Sequence, residues 1–214
     1  MNEHSGTRTR TRLAPGARRT SILDAATRLI LRAGPGELAM EDVAREASVA
    51  RGTLYLYFDS IGGIVAAARE RYTRALISEV EPLLAPGGSG SRLRRLDAFI
   101  AALAAALGQR RDLHHALFAA GAAAEAPLND AFSALLSRFI ADGRDAGEFA
   151  VPDIGLTTSF LVAGLHAVLT DGLHEPGAAV AAVAAAQRLA RRTLASEAGD
   201  RDRRLRSATR SPGQ

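Results

Sequence analysis

The chain has 214 residues, 47% apolar and 23% charged, the balance of a globular protein long enough to bury a sizeable core. It holds no cysteine, which excludes disulfides, thiolate nucleophiles and cysteine–metal sites, and all 27 of its Lys-or-Arg positions are arginine. Without lysine there is no P-loop, Schiff-base or pyridoxal-phosphate anchor, and any nucleic-acid contact falls to guanidinium groups.

The net charge of +4 is uneven: residues 1–20 carry +4, residues 21–60 carry −2, residues 61–198 carry −1 and residues 199–214 carry +3. Positive charge therefore belongs to the two ends. Arg8, Arg10 and Arg12 form a basic arm over residues 1–16 that suits a minor groove or phosphates; the alternative is a solvated tail that touches nothing specific. The arginine-rich stretch at 201–206 reads as part of a disordered tail over 199–214. The opening residues are polar, without the apolar region of a signal peptide, and the longest apolar run, 98–107, is about half a membrane span. A soluble cytoplasmic protein with no membrane partner is expected.

In chain order, a first helix is predicted over 17–33, with Ile22, Ala26, Leu29, Ile30 and Ala33 on one face and a stop at Gly34-Pro35-Gly36. Apolar residues at 40, 43, 44 and 47 give the spacing of a second helical face. Ser48-Val49 breaks that pattern, and a short third helix follows within Val49–Phe58. Val43, Ala44, Ala47, Val49, Leu54 and Phe58 would close a three-helix core on Ile22, Ala26 and Ile30. Two short helices about a tight turn, the second tipped with Arg51, Thr53, Tyr55 and Tyr57, describe a helix-turn-helix reader of duplex DNA. Arg51 is the leading base reader, and Thr53 and Tyr55 contact bases or backbone. Gly52 permits close approach, Tyr57 bonds a phosphate, and Ser48 and Ala50 flank the helix start. The plainer alternative is a helical hairpin whose Tyr and Phe are only core.

The pattern of Ile22-Leu23-Asp24-Ala25-Ala26, Leu29-Ile30, Glu41-Asp42-Val43-Ala44 and Val49 through Phe58 resembles the tetracycline-repressor (TetR) family of bacterial transcriptional regulators. The likeness covers roughly the first third of the chain. It implies a dimeric regulator, usually a repressor, with a helical effector domain after the head. Three positions depart from the family pattern: Ala39 and Ala50 stand where Ser or Thr caps a helix, and Ile61 replaces a phosphate-gripping Lys. A lost cap costs about 0.5–2 kcal/mol of helix stability, although Ser48 offers an offset hydroxyl for the third helix.

Beyond a head at 17–62, a fourth helix is predicted from about 62 to 84, with a flexible loop at Pro86–Gly90. Further helices are predicted over 91–108, 112–123, 127–146, 152–172 and 176–197, with Pro127, Pro152 and Pro176 at or near helix starts. No strand is predicted. The fold class is all-α: a three-helix head and a helical effector-binding and dimerisation domain over 63–198, about nine helices together. The last two helices, one apolar nearly all round and one rich in alanine, suit a four-helix dimer interface; the alternative is ordinary packing within the chain. Such a dimer would present its heads to successive major grooves of a pseudo-palindromic operator.

Helix position alone nominates Phe99, Leu103, His114, Phe118, Phe132, Phe139, Phe160 and His166 as lining for a mostly apolar small-molecule effector; the alternative is that they are simply core. No metal-ligand spacing, nucleophile elbow or dinucleotide-binding glycine pattern is present, so neither a cofactor nor an enzyme is expected. Two alternatives stay open: a ligand-binding or enzyme-like helical protein with a vestigial DNA head, and an architectural DNA binder without a ligand.

Overall fold

A computed structural model describes residues 14–118, 122–172 and 178–194. The expected basic arm, with Arg8, Arg10 and Arg12, lies outside them, as do the tail at 199–214, Pro176 and residues 195–197 of the expected last helix. Among the described residues nine α-helices and one short 3-10 turn appear, and no strand. No described helix is long and apolar enough to cross a membrane. Packing divides the chain into two units, residues 1–69 and 70–214.

In the first unit, α1 (Pro15–Ala33), α2 (Met40–Glu46) and α3 (Arg51–Tyr55) close on the start of α4 (Ile61–Leu84). Their core contains Ile22, Ala26, Val43, Ala44, Ala47, Leu54 and Phe58, joined by Ile64 and Ala67 from α4. Val49 is only partly buried against it, and Ala33, expected on the buried face, is exposed because it is the last residue of α1. Ala39 and Ala50 are the N-caps of α2 and α3 and offer no side-chain acceptor. Glu41 and Asp42 occupy the first turn of α2, where their charge complements the helix dipole.

The turn between α2 and α3 is a Schellman closure. The Val49 N–H donates to the Ala44 carbonyl at 2.9 Å and the Ser48 N–H to the Arg45 carbonyl at 3.1 Å. Ser48 holds the left-handed position at φ 54°, which glycine usually fills. Glu46, near the end of α2, receives Arg28 Nε at 2.7 Å and Arg32 Nη2 at 2.8 Å, a fork that ties α2 to α1. Those two hydrogen bonds, Arg28's first, hold the Glu46 carboxyl below its ordinary range.

The second unit holds the rest of α4 with α5 (Arg92–Gln109), α6 (Arg111–Phe118), α7 (Ala122–Asp145), α8 (Ile154–Gly172) and α9 (Ala178–Leu194). Arg95 donates to the carbonyls of Leu83 (3.2 Å) and Ala85, satisfying groups that the end of α4 leaves open. Two helix starts differ from expectation. Pro127 lies inside α7, which begins at Ala122, so the helix runs through the proline at the loss of one backbone hydrogen bond. Pro152 precedes α8, and Asp153 caps it by accepting the Leu156 N–H at 2.9 Å. The sixth helix is described as far as Phe118, and residues 119–121 of its expected span to 123 lie outside the described residues. Gly143 in α7 has no room for a Cβ, which would fall against the Phe149 ring.

Candidate DNA-reading helix and effector cleft

Arg51 opens α3 and is exposed. Its Nη1 lies 2.6 Å from Glu41 Oε1, its Nη2 donates to the Tyr55 hydroxyl at 3.4 Å, and its guanidinium sits 5.7 Å from the Tyr55 ring centroid. The base reader expected from sequence is thus held ready on the surface by one acid and one aromatic. Each of the four arginines between 21 and 60 has a carboxylate partner: Arg28 and Arg32 share Glu46, Arg45 takes Asp42, and Arg51 takes Glu41. Any outside partner of Arg51 must therefore compete with Glu41.

Gly52 is exposed, and a Cβ there would meet nothing within 4 Å. The fold itself does not demand glycine at that position. Tyr55 is 42% exposed, Thr53 is half-buried, and Ser48 and Ala50 are exposed at the start of the segment. Tyr57 is half-buried against the core with only part of its ring available, and Ile61 packs there too, as its apolar side chain dictates. Sequence reasoning passed over Leu56, which is 82% exposed just after α3. A leucine so placed offers the apolar contact that a thymine methyl takes.

In the second unit, α5, α6, α7 and α8 surround a cleft of about 30 Å³, room for roughly two waters, so a larger guest must part the walls. Of the residues nominated from helix position, Phe99, Leu103, His114, Phe132 and His166 line this cleft. The other three lie elsewhere. Phe118 is buried beside it, edge-on to Tyr72 at 5.6 Å and 5.0 Å from the His114 ring. Phe139 packs on Phe149 at 5.7 Å and under Arg95. Phe160 is 63% exposed on α8. Asn129 and Thr170 were missed; they stand one turn from Phe132 and His166, so the same helical spacing extended to polar residues finds them.

His114 is the polar centre of the cleft. Its Nδ1 is 3.1 Å from the Tyr72 hydroxyl, and its ring lies 6.2 Å from that of His166. Burial first, then His166 and His115, push the His114 pKa down to about 4, so the ring is neutral at pH 7. Burial likewise raises Tyr72 well above the ordinary phenol range, so its proton stays on. Among the described residues no group of three or more His, Asp or Glu is gathered as metal ligands would be.

A third surface is apolar. On α8, Leu156 (71%) and Phe160 (63%) are exposed together with Ala163, Gly164 and Ala167. On α9, Val180 (80%) and Leu189 (53%) are exposed.

A trihelical head with a short exposed reading helix, carried on a chain that continues as a helical domain with an apolar cleft, defines the class of helix-turn-helix DNA-binding proteins. Residues 22–68 match the model for bacterial regulatory proteins of the tetR family. Over these residues the chain is similar to the DNA-binding head of that family. Two HTH-type transcriptional regulators of Mycobacterium tuberculosis, one from strain CDC 1551 / Oshkosh and one from strain H37Rv, are 42% identical to it over 69 residues. That match covers 30% of this chain and 34% of each relative, so the chain spans about a third of the length of these curated relatives. Solved structures extend the likeness in fold. A putative transcriptional regulator of Pseudomonas aeruginosa PAO1 superposes with a TM-score of 0.70 at 22% identity, over 83% of this chain and 90% of that one. SmeT, the repressor of a Stenotrophomonas maltophilia multidrug efflux pump, gives 0.69 at 19% identity, over 83% and 90%. FadR of Bacillus subtilis in complex with stearoyl-CoA gives 0.65 at 19%, over 80% and 96%.

Proposed function

We propose that this chain is a homodimeric, sequence-specific DNA-binding transcriptional regulator, a repressor that a small, mostly apolar ligand releases from a pseudo-palindromic operator. The observation that carries the reading is the exposed surface of α3, with Arg51, an unhindered Gly52 and Tyr55 presented together on a tetR-family head. Arg51 leaves Glu41 for a base edge, Thr53 and Tyr55 add base or backbone contacts, and Tyr57, Ser48 and Ala50 lie against the backbone. The arm with Arg8, Arg10 and Arg12 adds phosphate or minor-groove contacts. The working parts are then the arm at 1–16, the head at 17–62, the effector and dimer domain at 63–198 and the tail at 199–214.

The effector enters the cleft beside His114. SmeT is the repressor of a multidrug efflux pump and the Bacillus subtilis FadR holds stearoyl-CoA, so proteins of this fold do repress and do take ligands. The exposed stripe of α8 with Val180 and Leu189 of α9 supports a dimer through these two helices. An effector weakens operator binding only by as much as its affinity differs between the two states of the dimer.

The test is Arg51→Ala. On operator DNA it should cost about 1–3 kcal/mol and relax the sequence preference. An equal loss on random DNA would make Arg51 a phosphate contact, and no loss on either would remove α3 as the reading element.

A further inference from the structure

We infer that the cleft between α5, α6, α7 and α8 selects an uncharged, mostly apolar molecule with one oxygen acceptor, which it binds through Nε2 of His114. The inference rests on the proposed effector site and names the class of ligand. Among the described residues the lining is aromatic and aliphatic apart from His114, Asn129, His166 and Thr170, with no arginine and no carboxylate. A carboxylate, phosphate or ammonium group in it would leave water for a wall with no opposite charge, which is strongly unfavourable. An uncharged oxygen needs only one hydrogen bond.

The ring of His114 is placed to supply it. Nδ1 is engaged by the Tyr72 hydroxyl. Nε2 has no hydrogen-bond partner among the described residues, and His114 is one of the residues that line the cleft. A phenol donates more strongly than it accepts, and donation to Nδ1 puts the ring hydrogen on Nε2. The cleft then presents a donor. Tyr72 is a positioning residue here: it fixes which nitrogen carries the hydrogen.

The test is direct binding to the full-length protein, by calorimetry at pH 7.5 without DNA, using four probes of one shape: acetophenone, ethylbenzene, benzoate and benzylammonium. Acetophenone should bind about three- to tenfold more tightly than ethylbenzene, the worth of one net hydrogen bond. Benzoate and benzylammonium should bind at least about a hundredfold more weakly than acetophenone. His114→Asn keeps an acceptor near Nδ1 for Tyr72 but does not reach the position of Nε2. It should abolish the preference for the ketone while leaving ethylbenzene binding in place. Tyr72→Phe should weaken the same preference without changing ethylbenzene affinity. Benzoate or benzylammonium binding as well as acetophenone, an undiminished ketone preference in His114→Asn, or no binding by any probe at millimolar concentration would overturn the inference. A probe that binds as expected but leaves operator affinity unchanged would instead count against the effector reading while this site stood.

Discussion

At the scale of single residues, two positions carry costs that the fold tolerates. Ser48 is the only non-glycine with a positive φ among the described residues, and left-handed backbone costs an L-residue about 1–2 kcal/mol. Ser48→Gly should therefore raise stability by up to about 1 kcal/mol in urea melts, part of the gain being offset by the freer unfolded chain. His114 is the second. Its folded pKa of about 4 lies below the ordinary 6.5, so between those values the unfolded chain takes up a proton that the folded chain refuses. Stability is full above about pH 6.5 and falls as the pH drops towards 4. The groups facing His114 are Tyr72, His115 and His166. The melting temperature should decline from pH 7 to pH 5, and His114→Asn should flatten that decline; an identical slope in the variant would show that another group controls it. The exposure of Arg51, Gly52 and Tyr55 on α3 was readable from residue type, with Leu54 between them turned into the core. Leu56 was not, since a leucine exposed at the end of a helix looks in sequence like one more core residue.

At the scale of elements, the head shows how charge replaces capping. Neither α2 nor α3 has a side-chain cap from its N-cap residue, yet α2 has two acids in its first turn and the Arg28–Glu46–Arg32 fork at its far end. Ala39 is extended at φ −114° and ψ 151°, the conformation a capping serine adopts. Ala39→Ser should stabilise the protein by about 0.5–2 kcal/mol, measured by thermal or chemical melting; a change near zero would mean that Glu41 and Asp42 already satisfy the helix start. Helix existence was legible throughout, because the 3.6-residue apolar stripe survives in α1, α5 and α7. Boundaries were less so. Pro127 marked a helix start by its chemistry, but an alanine-rich turn before it was helical enough to absorb the missing hydrogen bond. Phe160 was misplaced for a different reason: α8 is apolar nearly all round, and periodicity does not tell which side of such a helix faces its own domain.

At the scale of the whole molecule, that outward side of α8 is the informative one. Leu156 and Phe160 fall on one helical face with Ala163 and Ala167, small enough for close approach by a partner helix. If the proposed dimer forms through this face, Phe160→Asp should give a monomer in sedimentation analysis without lowering helical content, and should weaken operator binding because paired heads act together. A dimer unaffected by this change would move the interface elsewhere. The head was legible at a distance because helix-turn-helix spacing and polar-tipped reading residues leave a pattern in sequence. The cleft was not, because an apolar cavity and a packed core use the same residues, and only the coordinates separate Phe99 and Phe132 in its wall from Phe118 and Phe139 beyond it.

The central claim is that this chain reads a specific operator as a dimer. The most direct test is fluorescence anisotropy of the purified protein against DNA from upstream of its own coding sequence, at two salt concentrations and with excess random DNA. The account predicts saturable binding that survives the competitor, with two protomers per site. Binding that disappears with competitor or with modest salt would contradict sequence-specific recognition of that DNA, leaving a head whose arginines remain paired with their own acids.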